Sequence, residues 1–248
     1  MNNFNWINYN NNFQLLKKLR KYNKNNKFNF IEKENYNHIR DLYCLALLIA
    51  QIKAKKLSVK VLDYGSNNLV YANLANKINL KKFKIQIFDP FCSVNKLNSK
   101  IKNLSIFNNT KRLLKNWDLI NFGSSIQYLD KISTLDDINF KKAKVVLITH
   151  TPISLNKSYK CKQNNNKDLF QIIHSFSEIN KFMKKNAQLY ISTDWENYAE
   201  SILCSINEDN LFMETNKKYL NNVAHSKFER RGHEEGRKIF KFNYEKIS

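Results

Sequence analysis

Glycine and proline are nearly missing from this chain: four Gly and two Pro among 248 residues. That excludes collagen-like or Gly/Pro-rich linker organisation. It also leaves few residues that take positive φ freely, a role asparagine fills next best. Cysteine is sparse too, at positions 44, 92, 161 and 204. No two lie at metal-ligand spacing, so the pattern points to scattered reduced thiols, with neither a disulfide scaffold nor a metal site expected. No apolar run is long enough to span a bilayer. The richest, Leu42 to Ile52, is short and flanked by Arg40, Asp41 and Lys53. The start, Met1-Asn2-Asn3-Phe4, lacks the basic region and apolar core of a secretory signal. A cytoplasmic monomer without membrane contact is expected. No internal repeat is visible.

Lysine is abundant. The formal net charge is +21, and a surface of that sign attracts polyanions. Only six of the 42 basic residues are arginine, however, and the chain is crowded with Asn, Ile, Phe and Tyr. Part of the charge therefore reflects a general lysine bias. The arginines are the sharper signal, because three of them, Arg230, Arg231 and Arg237, fall close together near the C-terminus. Their planar forks suit phosphate better than ammonium does.

Residues 1–35 read as a basic, Asn-rich arm with its first dozen residues disordered, and 36–248 as one folded domain. Residues 36–55 are amphipathic, with Leu42, Leu45, Ile49 and Ile52 on one stripe. Short apolar strands follow at 59–63, 84–89, 104–107, 117–122 and 144–149, with a helix at 69–78. Residues 167–184 show helical spacing of Leu169, Ile172, Ile173, Phe176, Ile179 and Met183. A sixth strand is expected at 187–192, a helix from about Trp195 to Ile206, and a last strand within 237–244. Strands alternating with helices predict an α/β fold, a mostly parallel sheet with helices on both faces.

The C-terminal segments carry the most specific pattern. Thr193-Asp194-Trp195-Glu196-Asn197-Tyr198-Ala199-Glu200 is followed by Ser226-Lys227-Phe228-Glu229-Arg230-Arg231-Gly232-His233-Glu234-Glu235-Gly236-Arg237. On their own, Thr193 and Glu196 form a capping box that starts a helix, with Asp194 favouring its dipole. The extended pair resembles the signature of the bacterial tRNA (guanine-N7)-methyltransferases, T-D-W-E-x-Y-A-E and T-K-F-E-x-R-G-x-x-x-G. The resemblance covers roughly residues 180–245. It implies a Rossmann-like class I methyltransferase fold, S-adenosylmethionine as methyl donor and tRNA as partner. It also implies that Asp194 is the catalytic, guanine-binding acid, with Ser226, Lys227, Phe228 and Glu229 holding the nucleotide.

The N-terminal half resembles class I methyltransferases in another way. Val61-Leu62-Asp63-Tyr64-Gly65-Ser66 fits the first strand-to-loop turn, D/E-x-G-x-G-x-G, and Phe88-Asp89-Pro90 fits the end of the second strand, 26 residues on. The resemblance implies that Asp63, Gly65 and Asp89 line the cofactor site, with Asn109 after the third strand near the adenine. Only Gly65 remains of the glycines; Asn67 or Asn68 would have to supply positive φ. The runs Val61-Leu-Asp-Tyr-Gly65 and Asp118-Leu-Ile-Asn-Phe-Gly-Ser-Ser-Ile-Gln-Tyr-Leu129 also resemble a methyltransferase family from surface-polysaccharide clusters, which carries L-D-F-G-G and S-x-S-L-Q-Y. The P-D-P-W-x-K-x-x-H-x-K-R-R segment of the tRNA enzymes is absent; in its place stand Thr151-Pro152 and the lysines 157, 160 and 162. Two alternatives stay open beside guanine-N7 transfer. One is a small-molecule or sugar O-methyltransferase, which would need a base to deprotonate its acceptor. The other is an RNA-binding relic with a decayed cofactor site.

Overall fold

The computed structural model describes residues 37–55, 58–65, 71–72, 83–89, 103–123, 125–149, 151–163, 166–193, 196–208, 210–215, 232 and 235–248. The arm expected over 1–35 lies outside them. Helix α1 (Asn37–Ala54) leads into β1 (Val59–Tyr64), β2 (Phe83–Phe88), β3 (Leu104–Phe107), β4 (Leu119–Gly123) and β5 (Val145–Thr149). These five strands form one parallel sheet in the order β3-β2-β1-β4-β5. Each falls within one or two residues of its expected place. Alternation of side chains along them supplies two cores. Val59, Val61, Ile85, Ile87 and Leu119 pack one face against α1 and Tyr71. Leu62, Tyr64, Phe88, Ile120 and Phe122 pack the other with Trp117. The second face is covered, among the described residues, by 3-10 helices at Ile126–Tyr128, Ile132–Asp137 and Phe140–Lys142.

The stripe read for α1 is not the buried one where the two can be compared, at Ile49 and Ile52; the side chains of Leu42 and Leu45 lie outside the described ones. Tyr43, Ala46, Leu47 and Ala50 are the buried set, and Ile52 is 65% exposed. Both sets have helical spacing. The alanines decide, because small side chains let the helix lie close on the sheet and leave Tyr43 room to tilt against Tyr71, ring centroids 4.9 Å apart.

The second half departs further from expectation. The helix predicted over 167–184 is instead β8 (Asn166–Ser175) followed by the short α2 (Phe176–Asn180). With β6 (Ile153–Ser154) and β7 (Tyr159–Gln163), β8 forms a three-stranded sheet in the order β6-β8-β7. Phe170, Ile172 and Ile173 suit a pleated surface, and β7 pairs with β8 antiparallel across only Asn164 and Asn165. Local pairing overrode the helical spacing. Next come β9 (Gln188–Thr193), α3 (Glu196–Glu208), β10 (Phe212–Glu214) and β11 (Phe240–Lys246). The expected sixth and last strands do not extend the parallel sheet; they form a separate antiparallel one, β10-β11-β9. Helix α3 buries Ala199, Ile202 and Ile206, close to its predicted bounds. No helix among the described residues is long and apolar enough to cross a membrane.

Candidate functional site

The strand order reverses between β1 and β4, and in open α/β sheets a ligand crevice lies at the carboxyl ends of the strands there. Gly65 sits at that point with φ 74°, and its N–H donates to the Phe88 carbonyl at 2.7 Å. A β-carbon would be strained in this conformation. Asparagine does take the glycine role elsewhere: among the described residues, three of the four non-glycine residues at positive φ are Asn103, Asn186 and Asn210. Asn67 and Asn68 themselves lie outside the described residues.

Asp63 is fully buried, and its Oδ1 accepts from Asn121 Nδ2 at 3.0 Å. The two residues are paired in register, so this bond ties β1 to β4 at the reversal. Tyr71 closes the cluster from the helix side. Its hydroxyl bonds Thr149 Oγ1 at 3.0 Å, at the tip of β5. Burial pushes the Tyr71 phenol up to about 12, so it stays protonated. Asp89 is buried just past β2, its N–H donating to Phe107 O at 3.1 Å. Asn109 is exposed after β3; its Oδ1 caps Lys111 N at 2.9 Å, which leaves the amide nitrogen as a donor. Ser125, which sequence reasoning passed over, is 1% exposed just beyond β4, and no described residue bonds its hydroxyl. A buried polar atom of this kind at a crevice suits a bound polar group. The structure thus gathers Asp63, Gly65 and Asp89 at adjacent strand tips, with Asn109 beyond β3.

The two C-terminal segments fall only partly within the described residues. Asp194, Ser226, Lys227, Phe228 and Glu229 lie outside the described residues, as do Arg230 and Arg231. Thr193 ends β9 and Glu196 opens α3, so Asp194 falls in the two-residue connection between them. Tyr198 from α3 reaches the Ile153 carbonyl at 3.3 Å, which joins this region to β6. Arg237 pairs with Glu235 at 2.7 Å.

A cleft of about 600 Å³ opens between the β7–β8 hairpin, α2 and the 130–136 segment. His174 stands at its floor, 2% exposed. Its Nε2 lies 3.2 Å from the Ile126 carbonyl, which can only accept, so Nε2 carries the proton. Its Nδ1 lies 3.7 Å from Glu178 Oε2. The same Glu178 oxygen accepts from the Ser158 hydroxyl, and Ser158 Oγ accepts from Ser175 N at 2.7 Å. His174 carries one signal in the sequence. The signal was its spacing of four from Glu178, obscured because a strand end and a helix start meet between them.

Burial holds the His174 imidazole below its usual value, against the pull of the Ile126 carbonyl and of Glu178. Around it, Glu178, Asp130 and Asp136 supply negative charge and Lys131, Lys160 and Lys181 positive. The unfolded chain therefore takes up a proton first as pH falls below about 6.5, and stability is lost from there down to the folded value. His174→Gln is expected to flatten the fall in melting temperature between about pH 7 and 5. An unchanged slope would assign that loss to other groups.

The sheet order and the acids at its strand tips define a Rossmann-like fold of the class I methyltransferase type. Residues 161–242, about a third of the chain, match a family model described as "Putative methyltransferase", the family that contains the tRNA guanine-N7 methyltransferases. The match takes in both C-terminal segments, in keeping with the resemblance read from them. No curated protein matches the chain. Solved structures with a similar fold include coclaurine N-methyltransferase bound to N-methylheliamine and SAH, at 12% identity, 81% of this chain and 70% of that one, TM-score 0.40. Another is the magnesium protoporphyrin IX methyltransferase of Synechocystis PCC 6803 with bound SAM, at 8% identity, 96% and 93% coverage, TM-score 0.39. A third is a plantazolicin methyltransferase with a triazolic analogue and SAH, at 12% identity, 94% and 91% coverage, TM-score 0.38. The fold assignment rests on the sheet order, not on these distant likenesses.

Proposed function

We propose that the chain transfers a methyl group from S-adenosylmethionine to N7 of a guanine in tRNA. The observation that carries this reading is the family match over 161–242, which spans the Thr193–Glu200 and Ser226–Arg237 segments together. The crevice residues fit the methyl donor: an open backbone turn at Gly65, an acid at Asp89 for a ribose diol, an amide donor at Asn109 and a buried hydroxyl at Ser125. Asp63 holds the floor of the crevice by bonding Asn121. When bound, S-adenosylmethionine supplies an electrophilic sulfonium methyl.

Guanine N7 carries an in-plane lone pair and no proton, so no general base is required. The task left to the chain is orientation and exclusion of water. Asp194 accepts from guanine N1–H and N2–H₂, Glu229 assists, and Lys227 meets phosphate. RNA bases are generally read unstacked, because the A-form major groove is too narrow for side chains. The test is incubation with labelled donor and undermodified tRNA, followed by digestion. N7-methylguanosine is the expected product. Label on a glycan or small metabolite, with none on tRNA, overturns the reading.

A second reading is favoured by one observation, the His174–Glu178 pair. It supplies the base that a hydroxyl acceptor needs. Under this reading the product is an O-methyl ether, and His174→Gln removes activity that it would spare on guanine N7.

A further inference from the structure

The cleft over His174 is lined by groups that a purely structural pocket would not need. Tyr159 is 52% exposed at its edge, and Phe182 is half-buried and set against Phe140 with ring centroids 4.8 Å apart. Two aromatic side chains in the lining of a polar pocket suit a planar ring, since base–aromatic stacking tolerates any sequence. The floor offers Glu178, an acceptor already positioned by Ser158. A volume of about 600 Å³ lies within the range of small-ligand sites and admits a single nucleotide.

The cleft lining carries both signs of charge, and the cations on the hairpin are the ones that stand close together. Asp130 and Asp136 stand on the 130–136 wall, with Lys131 beside them. On the hairpin side, Lys160 and Lys162 are two residues apart on β7, hence on one face. Both ammonium groups lie over the Phe170 ring, at 4.6 and 5.8 Å from its centroid. That shared aromatic bed aligns two cations along the outside of the strand. A polyanion is drawn to the paired lysines of the hairpin.

We propose that this cleft holds one unstacked nucleotide of the RNA substrate, its base against Tyr159 and Phe182 with a donor edge toward Glu178, while Lys160 and Lys162 bind the phosphates leading into it. The proposal rests on the RNA reading above and adds a site to it. Fluorescence anisotropy with labelled, undermodified tRNA tests both separately. Lys160→Glu with Lys162→Glu is expected to weaken binding about tenfold near 0.15 M salt. It should also lower the slope of log K against log salt by about 1.4, roughly 0.7 for each lost contact to single-stranded phosphate. Tyr159→Ala and Glu178→Gln should each weaken binding about tenfold with the slope unchanged. Lys53→Glu with Lys60→Glu makes the same charge change at the amino end of the sheet and should stay within about twofold of wild type. Circular dichroism melts confirm that each variant folds. If the cleft variants bind like wild type, or the Lys53/Lys60 pair loses as much, the cleft is not an RNA site, although tRNA binding and methylation by the wild type would still uphold the proposed function. If wild-type protein shows no affinity for tRNA, both proposals fall. Cleft variants that lose O-methyl transfer to a sugar but bind tRNA normally would assign the cleft to the hydroxyl acceptor instead.

Discussion

Asp194→Ala is expected to abolish methyl transfer to tRNA, by about a hundredfold or more in kcat/KM, while leaving the affinity for S-adenosylmethionine within about twofold. The reasoning is chemical. Guanine presents two adjacent donors on its Watson–Crick edge, and only a carboxylate accepts both at once. Removing it leaves those donors desolvated and unmatched, a cost of about 3 kcal/mol, which is about a hundredfold. Asp194 follows β9, whereas Gly65 and Asp89 follow β1 and β2, strands of a different sheet. The two affinities should therefore separate. Isothermal titration with the donor and single-turnover kinetics with tRNA measure them independently. An equal loss of both would mean that Asp194 merely starts helix α3 as part of its capping box.

The parallel half of this fold was legible because each strand is a compact apolar run, the first two of them closed by an acid. Val59–Asp63, Lys84–Asp89 and Trp117–Phe122 could hardly be anything else. The crevice was legible for the same reason, since Asp63 and Asp89 end those runs. The second half was not. Ile172, Ile173, Phe176 and Ile179 satisfy a helical stripe, yet the first two lie in a strand because β7 offers hydrogen bonds across a two-residue connection. Spacing along one segment cannot reveal a partner segment. The His174 site was hidden by that same misreading. As a helix, 167–184 would place His174 and Glu178 as an ordinary surface pair. As a strand running into a helix, it turns His174 inward onto the Ile126 carbonyl, three residues beyond β4. The phase of α1 failed for a related reason: Ala46 and Ala50 score weakly as apolar residues but matter most where a helix must approach a sheet closely.

Gly123→Ala should cost on the order of 2 kcal/mol of stability, because nothing at the tip of β4 can make room for a methyl group. A β-carbon there would come within 2.7 Å of Tyr71 Cζ, and closer still to its Cε2 and hydroxyl oxygen. The ring cannot swing aside easily. Its hydroxyl is held by Thr149, its face packs on Tyr43, and it is 7% exposed. For a chain of this length the melting temperature should fall by about 4–8 °C. Tyr71→Leu removes the clashing atoms while keeping apolar volume. In that background Gly123→Ala should therefore cost less than about 0.5 kcal/mol, a coupling that a double-mutant cycle reads directly. Additive losses would show that the strain arises elsewhere along β4. Function follows from the same geometry. Gly123 lies two residues beyond Asn121, whose bond to Asp63 ties β4 to β1 beneath the crevice. A displaced Tyr71 ring pushes on that floor, so Gly123→Ala alone should weaken donor binding along with stability, and Tyr71→Leu should restore part of both.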